Sequence, residues 1–330
     1  REKNVTNSEK VRVIVEENPW SWKSLDWLKV DPEAGLTSEI NGDTESEVIS
    51  NIFCGISYFV YDMFTPFLYI TLTYIYKFLV GNINSEKIMS DFQSNYGIDC
   101  NFIKTTQKRK KKLLIADMDS TIIKEESLDE LARQIGKEKE VSFITNEAMN
   151  GRIEFKKALE DRVAILKGNS TDILENLKKN ININHRAREL VKTMNMNGSI
   201  TVLVSGGFSF LTDYLKELLG FKHTHANTLQ IIQKEFQKFE ITGKVEGPIL
   251  DKKAKLEYLN KYVKKYNLNY KDTICVGDGA NDIEMIKHAG LGVSYYGKSA
   301  LKKEADIHFN NTNLLGLLYA QGYTDDDIIK

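Results

Sequence analysis

The segment LLIADMDSTII, residues 113–123, runs four apolar residues into two aspartates, Asp117 and Asp119, with Thr121 close behind. Aspartate is a poor strand residue. A pair of them closing an apolar run therefore marks the end of a buried strand at which carboxylates are wanted. Two more runs have the same form: ITVLVSG (200–206) ends at Ser205 and Gly206, and TICVGD (273–278) ends at Asp278. LGVSY (291–295) and DIHF (306–309) are weaker versions. Short apolar strands separated by helical stretches predict an α/β fold, a Rossmann-like parallel sheet covered on both faces. Ligands of such sheets sit beyond the carboxyl ends of the strands, where the three runs place their polar residues.

Between the first and second of these strands lies an insert of about 124–190. Leu128, Leu131 and Ile135 fall at helical spacing, as do Phe155, Leu159, Val163 and Leu166. The insert is too long for a plain crossover and is expected to form a helical cap over the site. The chain is expected to divide near the basic run Lys108–Lys112, into an N-terminal α+β accessory region (1–110) and a catalytic domain (111–330). The basic run is read as a solvated linker. In the front region, 45–64 has the pattern of an amphipathic helix, 66–76 of a strand, 84–97 of a helix ended by Gly97, and 100–106 of a second strand. A membrane-associated segment over 52–80 is the competing reading. Asp62, Pro66 and Lys77 within that span argue against it.

The 330 residues carry a formal net charge of −1, which gives no electrostatic footprint for nucleic acid. Cys54, Cys100 and Cys275 show no metal spacing and leave one thiol over from any pairing, as in a reducing, cytoplasmic compartment. The chain opens on Arg1 rather than Met, which fits a fragment.

Two carboxylates one residue apart can divide attack and proton transfer between them. Like charges at that spacing raise one pKa unless a cation offsets them. Asp278, in GDGAND (277–282), can complete a cation site, and oxygen-only donors select a hard ion, Mg²⁺ above others. SGGFSF (205–210) brings a hydroxyl, glycine amides and a helix start together, the makings of an anion cradle. One further cation is wanted for a phosphoryl group, and DKKAKLEYL supplies Lys252, Lys253 and Lys255.

In this order, DxDxT, a strand-end Ser, a Lys and GDGxND resemble the haloacid dehalogenase superfamily. More narrowly, residues 113–320 are similar to the phosphoserine phosphatase family in DMDSTII, EESLDELARQIG, EAMNGRIEFKKALEDRVAILKG, VSGGF, GPILDKKAKLEYL and VGDGANDIEMIKHAGLGVSY. The resemblance implies Mg²⁺-dependent hydrolysis of O-phospho-L-serine through an aspartyl-phosphate, the last step of serine biosynthesis. It implies Asp117 as nucleophile and Asp119 as general acid and base. The ion would be held by Asp117, the Asp119 carbonyl and Asp278. Ser205 and Gly206 would bind phosphate, with Thr121 and Gly207 in support. Lys253 would neutralise the phosphoryl charge, with Asp282 orienting it and Asn281 touching substrate. Glu126 is implied for the substrate ammonium and Arg162 for its carboxylate. Met149 and Phe155 fit apolar cap positions. A homodimer is compatible with the resemblance, and 66–106 resembles part of an ACT-like domain.

A phosphatase for another small phosphomonoester is the alternative, disfavoured because Glu126 with Arg162 asks for a zwitterion. An ion-pump fragment shares GDGxND, but pumps carry Thr where this chain has Asp119.

Overall fold

The computed structural model describes residues 11–16, 99–104, 109–149 and 152–330. The readings of 45–64, 66–76, 84–97 and the membrane segment 52–80 fall outside them. Among the described residues no helix is long and apolar enough to cross a membrane.

Seven strands form one sheet: β3 (Leu113–Ala116), β4 (Ile200–Phe208), β5 (His223–Glu235), β6 (Lys238–Glu246), β7 (Thr273–Gly277), β8 (Gly292–Tyr295) and β9 (Ile307–Phe309). Their order across the sheet is β6-β5-β4-β3-β7-β8-β9. All neighbours are parallel except β5 and β6, which form an antiparallel hairpin. β3 is central, with β4 on one side and β7 on the other, so the chain leaves it in a crevice at the switch point. Every residue of β3, β7 and β8 is buried. The strand period of two sends Leu114 and Ala116 into one core, and Leu113 and Ile115 into the other.

The first core is covered by α5 (Ala187–Met196), α6 (Ser209–Leu219) and the insert. The second is covered by α7 (Lys252–Lys265) and α8 (Ile283–His288). Short helices α9 (Ser299–Lys302) and α10 (Gly316–Ala320) complete the domain. Among its described residues the insert holds the helices α1 (Ser127–Gln134), α2 (Glu138–Met149), α3 (Phe155–Ile165) and α4 (Asp172–Asn180). The apolar period predicted for it is the buried one at Leu128, Leu131, Leu159, Val163 and Leu166. The β5–β6 hairpin has no counterpart among the strands read from sequence. Its β6 edge is extended by the cap: Gly168 N–H donates to the Ile241 carbonyl (2.9 Å), and Thr171 N–H to that of Phe239 (3.1 Å).

In front of the sheet, β1 (Val11–Glu16) and β2 (Asp99–Lys104) pair antiparallel. Asp99 accepts the N–H groups of Asn310, Asn311 and Thr312 at 2.8 to 3.0 Å, and Asn101 exchanges two bonds with the His308 backbone. The 100–106 strand reading holds over 100–104, and the strand is fastened to the loop that follows β9.

The basic run corrects the linker reading in part: Lys110 and Lys112 are exposed, as expected, but Arg109 and Lys111 are tied to the domain. Lys111 is buried, donating Nζ to the Lys271 carbonyl at 2.8 Å, and burial lowers its pKa. Arg109 Nη2 donates to the carbonyls of Tyr319 and Ala320, and Lys110 lies 4.4 Å from the centroid of the Tyr323 ring. Arg109 thus satisfies carbonyls at the end of α10, as cations at a helix C-terminus do; a run of like charge need not be a solvated one.

Candidate active site

The backbone at the end of β3 continues the sheet for one more bond, Asp117 N–H to the Val276 carbonyl (3.0 Å), and then turns. Ser120 sits at φ +53°, so the chain folds back over its own strand end. Asp117 is buried, and one of its oxygens accepts the Met118 N–H at 2.8 Å. The same oxygen lies 2.7 Å from Lys255 Nζ, which also reaches Asp282 Oδ1 at 2.6 Å. Lys255 is therefore the cation of the site. Lys253, expected in that role, is exposed on the outer face of α7, and this corrects the sequence reading. Asp251 caps α7 by accepting the Lys253 and Ala254 N–H groups, and helical periodicity then puts Lys255, Leu259 and Tyr262 on the inward face.

Burial alone would lower the Lys255 ammonium, but the two carboxylates outweigh it and hold its pKa above the ordinary lysine value. Asp282 keeps its other oxygen on the Gly279 N–H at 3.1 Å. A Cβ at Gly277 would collide with Asp282, so the first glycine of GDGAND admits the carboxylate that anchors the lysine.

Asp119 accepts the Ser127 N–H at 2.8 Å, and Ser205 Oγ lies 3.4 Å from its other oxygen. Burial, with help from Glu126, pushes its carboxyl up to about 7, while hydrogen bonding from Ser127 pulls the other way. Glu126 accepts from Ser120 Oγ at 2.9 Å and is raised by burial. Asp119 is thus kept close to the range in which a carboxyl exchanges protons near neutrality.

Ser205 Oγ accepts the Gly207 N–H at 2.8 Å. A Cβ at Gly207 would lie 2.9 Å from Asp119 Oδ2, and one at Gly206 would lie 3.1 Å from the ring of Phe155. The two glycines therefore let the cradle approach the carboxylates beneath the cap. Phe155, expected in the cap's apolar stripe, is half-buried and points to the cradle. Met149 ends α2, and its side chain falls outside the described residues. Asn281 is half-buried in the turn after β7. Thr121 is fully buried, and its hydroxyl has no hydrogen-bond partner among the described residues. Arg162, on α3, lies in the field of Asp129, Glu126 and Asp119.

Two contributors carried no motif. Asn227, buried on β5, donates to the Gly206 carbonyl (2.8 Å) and accepts the Leu250 N–H (2.7 Å), joining the cradle to the segment leading into α7. Lys298 Nζ lies 3.6 Å from Asp278 Oδ2 at the mouth of the site. Neither residue type announces itself, because an isolated polar side chain in a strand or loop has no period to read.

Asp117, Asp278 and Asp282 bring carboxylate oxygens within 4.8 Å of one another. Burial and the Asp117 charge push Asp278 up to about 7. Three buried acids so close exceed what the single Lys255 ammonium neutralises, an arrangement that suits a further hard cation. Both oxygens of Asp282 are engaged by Lys255 and Gly279, which leaves Asp117 and Asp278 as the better candidates to hold an ion.

The profile of the haloacid dehalogenase-like hydrolases matches residues 111–290. A phosphoserine phosphatase of Methanocaldococcus jannaschii is 40% identical over 211 residues, 64% of this chain and 98% of that one. The chain belongs to the phosphoserine phosphatase family of haloacid dehalogenase-like hydrolases. A relative of the same description from Archaeoglobus fulgidus is also 40% identical, over 64% of this chain, and the match spans 60% of that protein's length. A solved structure described as a phospho-aspartyl intermediate analogue of phosphoserine phosphatase superposes with a TM-score of 0.59 at 40% identity, covering 64% of this chain and 98% of that one.

A Mg²⁺ site built on Asp117 and Asp278 would carry a direct prediction. Asp278→Asn should raise stability without Mg²⁺, because it removes a buried repulsion, and should lose most of any rise in melting temperature that Mg²⁺ gives the wild type. Saturating an ion site by about 100-fold over its Kd stabilises the native state by about 2.7 kcal/mol. Thermal melts with and without Mg²⁺ check this, and an unchanged Mg²⁺ response would remove Asp278 from the donor set.

Proposed function

We propose that this hydrolase converts O-phospho-L-serine to L-serine and inorganic phosphate, with Asp117 as nucleophile, supplying L-serine to biosynthesis in a reducing cytoplasm. The observation that carries the reading is the arrangement around β3: a buried carboxylate at the switch point, neutralised by Lys255, with a second carboxyl two residues on. Asp117 attacks phosphorus and becomes an aspartyl-phosphate as the P–O bond to the seryl oxygen breaks. Asp119, protonated, gives its proton to that oxygen. As carboxylate it then takes a proton from the water that hydrolyses the acyl phosphate. Ser205, the Gly206 and Gly207 region and Lys255 surround the phosphoryl oxygens and stabilise the charge that develops on them.

Asp117 and Asp278 would hold Mg²⁺, joined by the Asp119 carbonyl implied by the family. When bound, Mg²⁺ screens the phosphoryl anion from the carboxylates, allowing two negative groups to approach.

Substrate choice rests on the cap. Glu126, held by the Ser120 hydroxyl, offers a carboxylate to an ammonium beside the phosphate, a cation that would offset the burial now raising its pKa, and Arg162 offers a planar fork to a carboxylate. Both residues lie on the insert rather than on the sheet ends that hold the phosphoryl machinery. Arg162→Ala should therefore lower kcat/KM for phosphoserine by about 10- to 150-fold, the worth of a charge-assisted contact, and change p-nitrophenyl phosphate little. A panel of phosphomonoesters, assayed with and without Mg²⁺, tests both statements. Equal loss on the two substrates would assign Arg162 to the chemistry or to cap folding and withdraw the case for an amino-acid substrate.

A further inference from the structure

Arg162 is held from two sides. Its Nε donates to the Ala158 carbonyl one turn back at 3.1 Å, and its Nη1 donates to Thr145 Oγ1 at 3.2 Å. Thr145 lies on α2 and is buried. Its hydroxyl is 3.2 Å from Asp129 Oδ1 and 3.1 Å from the Val141 carbonyl. A hydroxyl has one proton to give and two lone pairs to receive. Accepting the guanidinium leaves that proton for Asp129 or for the carbonyl. Ser142 Oγ engages the other Asp129 oxygen at 3.3 Å. Asp129 is on α1, three residues after Glu126. One polar chain, Asp129–Thr145–Arg162, thus crosses three cap helices.

The electrostatics give this chain a purpose. The guanidinium is attracted by Asp129, Glu126 and Asp119. Two of these are needed by the substrate and by the proton transfer. With only those two as partners, a long flexible cation would fold onto them and occupy the positions they serve. Asp129, engaged by the Ser142 and Thr145 hydroxyls, attracts it too and is joined to it through Thr145.

We propose that Thr145 and Asp129 are positioning residues that hold the Arg162 fork off Glu126 and Asp119 and pre-orient it for the substrate carboxylate. The inference rests on the phosphoserine reading above. An arginine fixed before binding loses less side-chain freedom when the substrate arrives. The benefit therefore appears in substrate binding and not in the phosphoryl step, which neither residue touches.

Thr145→Val keeps the shape and removes the hydroxyl. It should raise KM for phosphoserine about 3- to 10-fold, the effect of one ordinary side-chain hydrogen bond, with kcat within about twofold and p-nitrophenyl phosphate unaffected. Thr145→Ser should restore the wild-type KM. Asp129→Asn, which keeps an acceptor oxygen and loses the charge, should raise KM in the same direction. An unchanged phosphoserine KM in Thr145→Val overturns the proposal. So does an equal loss on both substrates that Thr145→Ser fails to rescue, because that is cap misfolding. If Thr145→Val does not fold, Asp129→Asn decides by the same comparison. Failure of the underlying reading looks different: the wild type would itself show no preference for phosphoserine. A selective Arg162→Ala beside a silent Thr145→Val rejects the positioning network alone.

Discussion

Asp117→Asn should abolish turnover while the domain stays folded. The amide has nearly the shape of the carboxylate and can still accept the Met118 N–H, so the strand end keeps its local bonding. It relieves the repulsion that Asp117 exerts on Asp278 and Asp282, and gives up its pair with Lys255, which retains Asp282. Those effects oppose one another, and melting should move only modestly. The chemistry has no such compensation. An amide oxygen is a weak nucleophile, and attack through it cannot give an acyl phosphate. The expected loss in kcat is on the order of 10⁴-fold or more, the scale of removing a covalent nucleophile. Wild-type enzyme quenched during turnover should carry phosphate that hydroxylamine releases, as it does from an acyl phosphate, and Asp117→Asn should carry none. Labelling that survives in the variant would move the nucleophile to another carboxylate.

The fold was legible because β3, β4 and β7 are short, largely apolar and lead into polar residues, and a run of that length and β-branched content fits a buried parallel strand better than a helix. The polar part of the site was legible for the same reason: parallel strands end along one edge of the sheet, and the order β4-β3-β7 makes Asp117, Ser205 and Asp278 neighbours there. The β5–β6 hairpin is harder to read. Past Leu229, β5 is largely exposed and polar, with no alternation to betray it, and its partner β6 is stitched to the cap by backbone bonds that no side chain encodes. Asn227 is invisible in the sequence because its role is to satisfy two backbone groups brought together by the tertiary fold. The lysine is a different case, in which motif and helical phase disagree. The family resemblance favours Lys253. Counting back from Leu259 and Tyr262, the buried face of α7 reaches residue 255 after one turn and passes residue 253 by.

That phase argument makes the second large effect a comparison between two lysines. Lys253→Ala removes an exposed side chain and should leave activity and melting close to wild type, as surface substitutions usually do within about 0.5 kcal/mol. Lys255→Met fills the same slot without the charge and leaves Asp117 and Asp282 facing each other in a buried site. Breaking a buried pair by removing one partner costs roughly 3–5 kcal/mol, about 6–20 °C in melting temperature for a domain of 150–250 residues. Turnover of phosphoserine and of p-nitrophenyl phosphate should fall together, because the ammonium serves the phosphoryl group common to both. Stability and chemistry can be separated by adding Asp282→Asn to Lys255→Met. The double variant loses the second uncompensated carboxylate and should regain much of the melting temperature. It still lacks the cation beside Asp117, so its turnover should stay low. Recovery of both would make Lys255 a structural counter-ion only. Loss of turnover in Lys253→Ala but not in Lys255→Met would reverse the assignment and require α7 to be rotated about its axis.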